Sequence, residues 1–253
     1  MIEDRMPRPE IEGSEASTSE PARTRRRQSR ALDTRHKILA AALQEFAEHG
    51  FAGASTRAVA AAAGVQHPLL NYHFNNKEGL WHAVLEVTAG HFMAQFRARL
   101  AGLRGVDDVT KLRLVQEDFI RFSAANPHFH LLMSQESRRP SRQLSALVKE
   151  FVQPYFTDVT ALIRSAQRAA CYVDGDPRHL QYLFIGAATR IFTLAAEVKL
   201  IAGASPFSAR MLEQHVAACL GLFFRSPPNG APATLVDHRA GGRKPRRSNP
   251  GRK

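Results

Sequence analysis

Between Ser55 and Lys77 (STRAVAAAAGVQHPLLNYHFNNK) the chain gathers hydroxyl, guanidinium, amide, imidazole, phenol and ammonium groups on Thr56, Arg57, Gln66, His67, Asn71, Tyr72, His73 and Lys77. Pro68 and Leu69 lie among them. An amide such as Asn71 can pair with adenine through two hydrogen bonds, an apolar side chain suits a thymine methyl, and cationic or hydroxyl groups suit phosphate. Bond-making chemistry needs other arrangements. The sequence has no Gly-rich phosphate loop, Gly-x-Ser-x-Gly elbow or HExxH, and no clustered carboxylates at a catalytic spacing. An enzyme is therefore not expected. His128 and His130, two apart, diverge on a helix and make a poor metal pair, so neither a metal nor a cofactor is expected.

These groups need elements to carry them. A helix is predicted over about Asp33–Glu48, with Ile38, Leu39, Ala42, Leu43 and Phe46 on one face and Gly50 as its left-handed stop. Ser55 is a good N-cap for a short helix over Thr56–Ala63 that buries Val59, Ala60 and Ala63. Gly64 permits a sharp positive-φ turn, Val65 plugs the corner, and a third helix spans about His67–His73. Pro68 falls in its first turn, where no N–H is needed. Two short helices joined through Gly64 form a helix-turn-helix, whose second helix enters the major groove. Asn75 or Asn76 caps a fourth helix running from Lys77 as far as Leu100.

Five more helices follow, over about Asp107–Ala125, Pro127–Ser137, Ser141–Cys171, Pro177–Ala202 and Pro206–Phe224, with Pro154 expected to kink the third. No period-2 strand is visible. The fold class is all-α, with about nine helices. The predicted divisions are 1–31, a disordered N-terminal arm with a basic run; 32–78, the helix-turn-helix domain; 79–225, a larger helical domain; and 226–253, a disordered basic tail.

The net charge of +12 favours polyanion partners, but it lies mainly in the two ends. Arg23, Arg25, Arg26, Arg27 and Arg30 crowd one stretch, whereas Asp33–Leu80 balances Arg35, Lys37, Arg57 and Lys77 against Asp33, Glu45, Glu48 and Glu78. The arginine run could supply the missing phosphate attraction, entering a minor groove as a flexible arm. Cys171 and Cys219 are too few and too far apart for a disulfide scaffold, and read as buried reduced thiols. No apolar run reaches the ~18 residues of a membrane span and no signal-peptide core opens the chain. A cytoplasmic protein without membrane contact is expected.

The ordered set Ile38–Leu43 with Phe46, Gly50-Phe51, Ser55-Thr56-Arg57, Val59-Ala60-x-x-Ala63-Gly64-Val65 and Asn71-Tyr72-His73-Phe74-x-x-Lys77-Glu78-x-Leu80 resembles the tetracycline-repressor (TetR-like) family over about fifty contiguous residues. The resemblance implies a three-helix DNA-binding domain joined to a ligand-binding and dimerisation domain. It also implies phosphate contacts by Thr56, Arg57 and Lys77, with Gln66, His67, Pro68, Leu69, Asn71, Tyr72 and His73 at reading positions. Asn71 and Leu69 depart from the family's usual residues there, so this chain's operator need not be that of its relatives. The resemblance further implies a homodimer through the last two helices (177–202 and 206–224), a palindromic double-stranded operator and an unknown small-molecule effector that releases a repressor. Phe119, Phe122, Phe129, Met133, Tyr155, Arg190 and Phe192 are the candidate pocket residues. The competing expectation is a basic helical protein-interaction adaptor whose helix-turn-helix reads no DNA.

Overall fold

The computed structural model describes residues 20–226, which form twelve α-helices and one isolated antiparallel bridge between Tyr172 and Phe224. The first four helices are α1 (Glu20–Gly53), α2 (Thr56–Ala62), α3 (His67–Phe74) and α4 (Lys77–Leu85). A π-helical turn (Glu86–Gly90) passes α4 directly into α5 (His91–Gly102). Then come α6 (Asp108–Ala125), α7 (Pro127–Glu136) and α8 (Arg142–Leu147), which a second π-helical turn (Val148–Val152) joins to α9 (Gln153–Arg168). The chain closes with α10 (Pro177–Thr193), α11 (Ala195–Ala202) and α12 (Ala209–Phe223). Among the described residues no helix is long and apolar enough to cross a membrane.

Side-chain caps explain most of the helix starts. Ser55, Asn76, Asp107 and Ser141 accept hydrogen bonds from Ala58, Gly79, Thr110 and Leu144 backbone N–H groups at 3.3, 2.8, 2.9 and 2.9 Å, satisfying donors a helix leaves orphaned. Gly50 sits at φ +67° and breaks α1, and Gly64 at φ +68° turns the chain between α2 and α3.

Four expectations need correction. Helix α1 begins at Glu20, so residues 20–31 are helical rather than a disordered arm. Pro21 occupies the first turn, where proline is tolerated, and the Ala, Arg and Gln that follow are good helix formers. The rest of that segment and the basic tail from 227 onward lie outside the described residues. The helix expected over 177–202 is two helices, because Leu194 departs to φ −106°, ψ 30°. The helix expected over 141–171 is α8 and α9 joined by a π-helical turn just ahead of Pro154, and it ends at Arg168. Cys171 is half-buried in the bridge segment after α9, not in a helix, whereas Cys219 is buried in α12.

Two hydrophobic clusters hold the molecule together. The first joins Ile38, Ala42 and Phe46 of α1 to Val59, Leu70 and Phe74, then runs through Leu80, Trp81 and Val84 of α4 into Leu132 of α7 and Leu147 of α8. The second is built from α5, α6, α9, α10 and α12 around Leu112, Ile120, Val159, Ile163 and Phe184. Helix α7 packs along α1, so the N-terminal helices sit on the body and share its first core.

Candidate nucleic-acid interface and interior cavity

Helix α3 is anchored by Leu70 and Phe74, both buried. That anchoring fixes which residues look outward. Asn71 is exposed, Tyr72 is 81% exposed and Leu69 39% exposed. Gln66 and Pro68 are exposed at the start of the helix. His67 and His73, also expected at reading positions, are half-buried. The His67 Nε2 lies 3.0 Å from the Thr56 hydroxyl, tying the start of α3 to that of α2. The His73 ring sits between those of Tyr72 and Phe74, with centroids 5.6 and 6.0 Å away. Arg57 is exposed at the start of α2.

Lys77 has a structural reason for sitting at a helix N-terminus, where the dipole opposes it. Its ammonium donates to the Ala52 carbonyl at 3.1 Å and lies 5.1 Å from the Phe51 ring centroid. The Phe51 ring in turn packs edge-on to Trp81 at 5.5 Å. Sequence reasoning missed the Phe51–Gly53 segment as a junction. Its Phe51 N–H donates to Oε1 of Glu136, on α7, at 2.6 Å. The Glu45 carboxylate, on α1, accepts the Ser55 N–H at 2.9 Å. The turn from α3 to α4 also depends on Gly79, where a Cβ would stand 2.1 Å from the Phe74 carbonyl oxygen.

Deeper in the body, a cavity of about 350 Å³ opens between the two π-helical turns and α5, α6, α7, α9 and α10. Phe119, Phe122, Phe129, Met133 and Tyr155 line it. Arg190 and Phe192 do not. Arg190 is exposed on α10, and Phe192 is buried on the far side against Phe207 and His215, with centroids 5.8 and 5.4 Å away. Periodicity identifies which faces are buried, not which buried faces leave space between them. His130, Ser134 and Ser137 also line the cavity. With Met133 they recur along α7 at the three- and four-residue spacing of one helix face, a signal legible in the sequence.

His130 is more than nine-tenths buried, and burial pulls its imidazole down to about 4. Its ring meets those of Phe119, Phe122 and Phe129 at 5.5–5.9 Å. The His130 Nε2 and the Tyr155 hydroxyl have no hydrogen-bond partner. Burial also drives the Tyr155 phenol far above its ordinary value.

A family model described as bacterial regulatory proteins, tetR family, matches residues 38–84. The chain is 27% identical over 193 residues to the HTH-type transcriptional regulator RutR of Escherichia coli (strain K12), covering 74% of this chain and 88% of that protein. It is 29% identical over 143 residues to the HTH-type transcriptional regulator UidR of the same organism, covering 56% and 70%. The fold is similar to that of AibR, solved with isovaleryl coenzyme A and operator DNA, at a TM-score of 0.56 and 18% identity over 76% of this chain and 98% of that one. HlyIIR, a hemolysin II transcriptional regulator, gives a TM-score of 0.52 at 20% identity, covering 74% and 97%.

Proposed function

The chain belongs to the tetR family of bacterial regulatory proteins, and from that premise we propose that it represses transcription as a dimer on a palindromic operator and leaves the DNA when a small molecule enters the cavity. The observation that carries the reading is the outer edge of α3. Leu70 and Phe74 are sealed while Leu69, Asn71 and Tyr72 stand free, the disposition a major-groove helix needs. Residues 32–78 form the reading head. Thr56, Arg57 and Lys77 meet phosphate beside the α2 and α4 N-termini. Gln66, His67, Pro68, Leu69, Asn71, Tyr72 and His73 face the groove.

The dimer forms through α10 and α12. On these helices Leu180, Phe184, Ala188, Val216, Leu220 and Phe223 are buried within a single protomer. The faces left for a second copy carry Leu183 and Gly186 on α10, and Ala217, Ala218, Gly221 and Leu222 on α12. Small residues let two helices approach closely, and a two-fold axis then sets two α3 helices on successive half-sites.

The arginines of 23–30 lie on the N-terminal extension of α1, so they act as a helical basic rod and not as an extended arm. They supply the phosphate attraction that the charge-balanced head lacks. AibR, solved with both a ligand and its operator, supports the two-site arrangement.

Selection of bound fragments from random genomic DNA, followed by sequencing, tests the function. Enrichment of one short palindrome is expected. Uniform, salt-sensitive retention would sink operator recognition and leave only a sticky cation or a protein adaptor. Removing residues 1–30 should lower the salt dependence of binding; an unchanged slope rejects the role given to the rod.

A further inference from the structure

Among the described residues, two of the buried polar atoms left unpaired belong to residues that line the cavity between the two π-helical turns. Six phenylalanines and two tyrosines supply most of its wall, with Met93, Met133, Val148, Val152 and Ile185, and no Asp, Glu, Lys or Arg lines it. Of the polar residues on that wall, which include Ser134, Ser137 and Tyr182, His130 and Tyr155 are the deeply buried ones, and the His130 Nε2 and Tyr155 hydroxyl have no partner in hydrogen-bond geometry. Ser134 spends its proton on the His130 carbonyl at 2.9 Å, which leaves its oxygen as an acceptor only. Gln181, which does not line the cavity, lies close enough to favour ionisation of the Tyr155 phenol, although neither end of its amide reaches hydrogen-bond geometry.

Buried donors and acceptors are nearly always satisfied, so a cluster of exceptions calls for a missing group. No charged side chain lines the wall to neutralise an ion at its buried end, which favours a neutral group there. The broad cleft of about 680 Å³ between α5 and α6 is different in kind. Its Arg99 is bonded to Asp118 at 2.7 Å, and its Arg121 to Glu117 and Glu213 at 2.7 Å each. Both π-helical turns contribute to the cavity wall, Ala89 from the first and Val148, Phe151 and Val152 from the second. Single π turns inside α-helices recur at functional sites.

We propose that the cavity binds an uncharged, predominantly aromatic molecule bearing one hydroxyl or carbonyl, which hydrogen-bonds to His130 Nε2 and the Tyr155 hydroxyl. The proposal deepens the ligand-released reading above and rests on it. A neutral imidazole can accept or donate at Nε2 according to tautomer, so both kinds of polar head fit. Occupancy acts on α7, which presents His130, Met133 and Ser134 to the ligand and ends at Glu136, the acceptor of the Phe51 N–H.

Equilibrium dialysis of the full chain, without DNA, against 2-naphthol, naphthalene, 2-naphthoate and naphthylmethylammonium tests this. 2-Naphthol should bind tightest, with one molecule per chain, and His130→Phe or Tyr155→Phe should weaken it about three- to tenfold, as expected for one hydrogen bond. The same variants should leave naphthalene unchanged or slightly tighter. The proposal is overturned if the carboxylate or ammonium probe binds as well as the naphthol, if none of the four binds, or if neither variant separates naphthol from naphthalene. Should His130→Phe not fold, the near-isosteric Tyr155→Phe and the imidazole 15N shifts of the native chain on naphthol addition decide it. Unmoved His130 shifts count against it. Because no DNA is present, failure here is distinct from failure of the operator selection.

Discussion

At the scale of single residues, the division of α3 into anchors and readers makes separable predictions. Asn71→Ala should weaken operator binding by ~1–3 kcal/mol, the worth of a bidentate base contact, and barely change binding to unrelated DNA. Lys77→Ala should weaken both alike and reduce the salt slope by about one contact per protomer. Gel-shift titrations at several salt concentrations on both DNAs distinguish the two, and equal losses for Asn71→Ala would remove it from the reading edge. Gly64 was readable from the turn it had to make, and Tyr72 as a reading position from the resemblance. Gly79 was not readable. It lies at an unspecified position of the motif, and only the approach of the Phe74 carbonyl reveals why no side chain fits. Gly79→Ala should therefore cost several kcal/mol through backbone displacement, read as a lowered urea midpoint. A loss below about 0.5 kcal/mol, the ordinary surface value, would mean that the turn relaxes freely.

Among elements, α7 is the one that touches both ends of the system. Its cavity face carries His130 and Met133, and its last residue, Glu136, accepts the Phe51 N–H beside the positive-φ Gly50. Glu136→Ala should destabilise the protein by about 1–2 kcal/mol, since a backbone donor loses a charged acceptor in a half-buried place. Glu136→Gln, which keeps an acceptor, should cost less. Hydrogen exchange at the Phe51 amide is the check; equal protection in all three proteins would show that the contact holds nothing. Helix starts were legible because Ser55, Asn76, Asp107 and Ser141 announce themselves chemically. The break at Leu194 was not, since neither Gly nor Pro marks it. The π-helical turns were also hidden. Their Val, Thr, Phe and Gly residues weaken an α-helix only slightly each, and no sequence pattern marks where the hydrogen-bond ladder shifts.

For the whole molecule, the buried groups set a pH window. His130 ionises near 4 in the fold against about 6.5 when unfolded, so the unfolded chain takes up its proton first as the pH falls. Its contribution is complete above pH 6.5 and is lost progressively towards pH 4, on the order of 3 kcal/mol in all. Burial moves the Cys219 thiol the other way, up to about 11. The neutral thiol favours the fold below its unfolded value near 9, and that contribution fades as the pH rises through 11. Urea midpoints between pH 7 and 4.5 should fall more steeply for the native chain than for His130→Phe; parallel curves would exclude His130 as a cause.

The turn at Glu86–Gly90 carries one residue more than a regular α-helix of the same rise needs. Deleting Val87 should let α4 and α5 rejoin in phase, with Trp81 and Phe96 still facing their separate cores. Deleting Ala94 instead would swing Phe96 by about 100° out of its core. The α4–α5 helix is thus tolerant of shortening at one place along its length and intolerant only a few residues further on. A cooperative urea transition in the first deletant and its absence in the second would mark that turn as holding a spare residue.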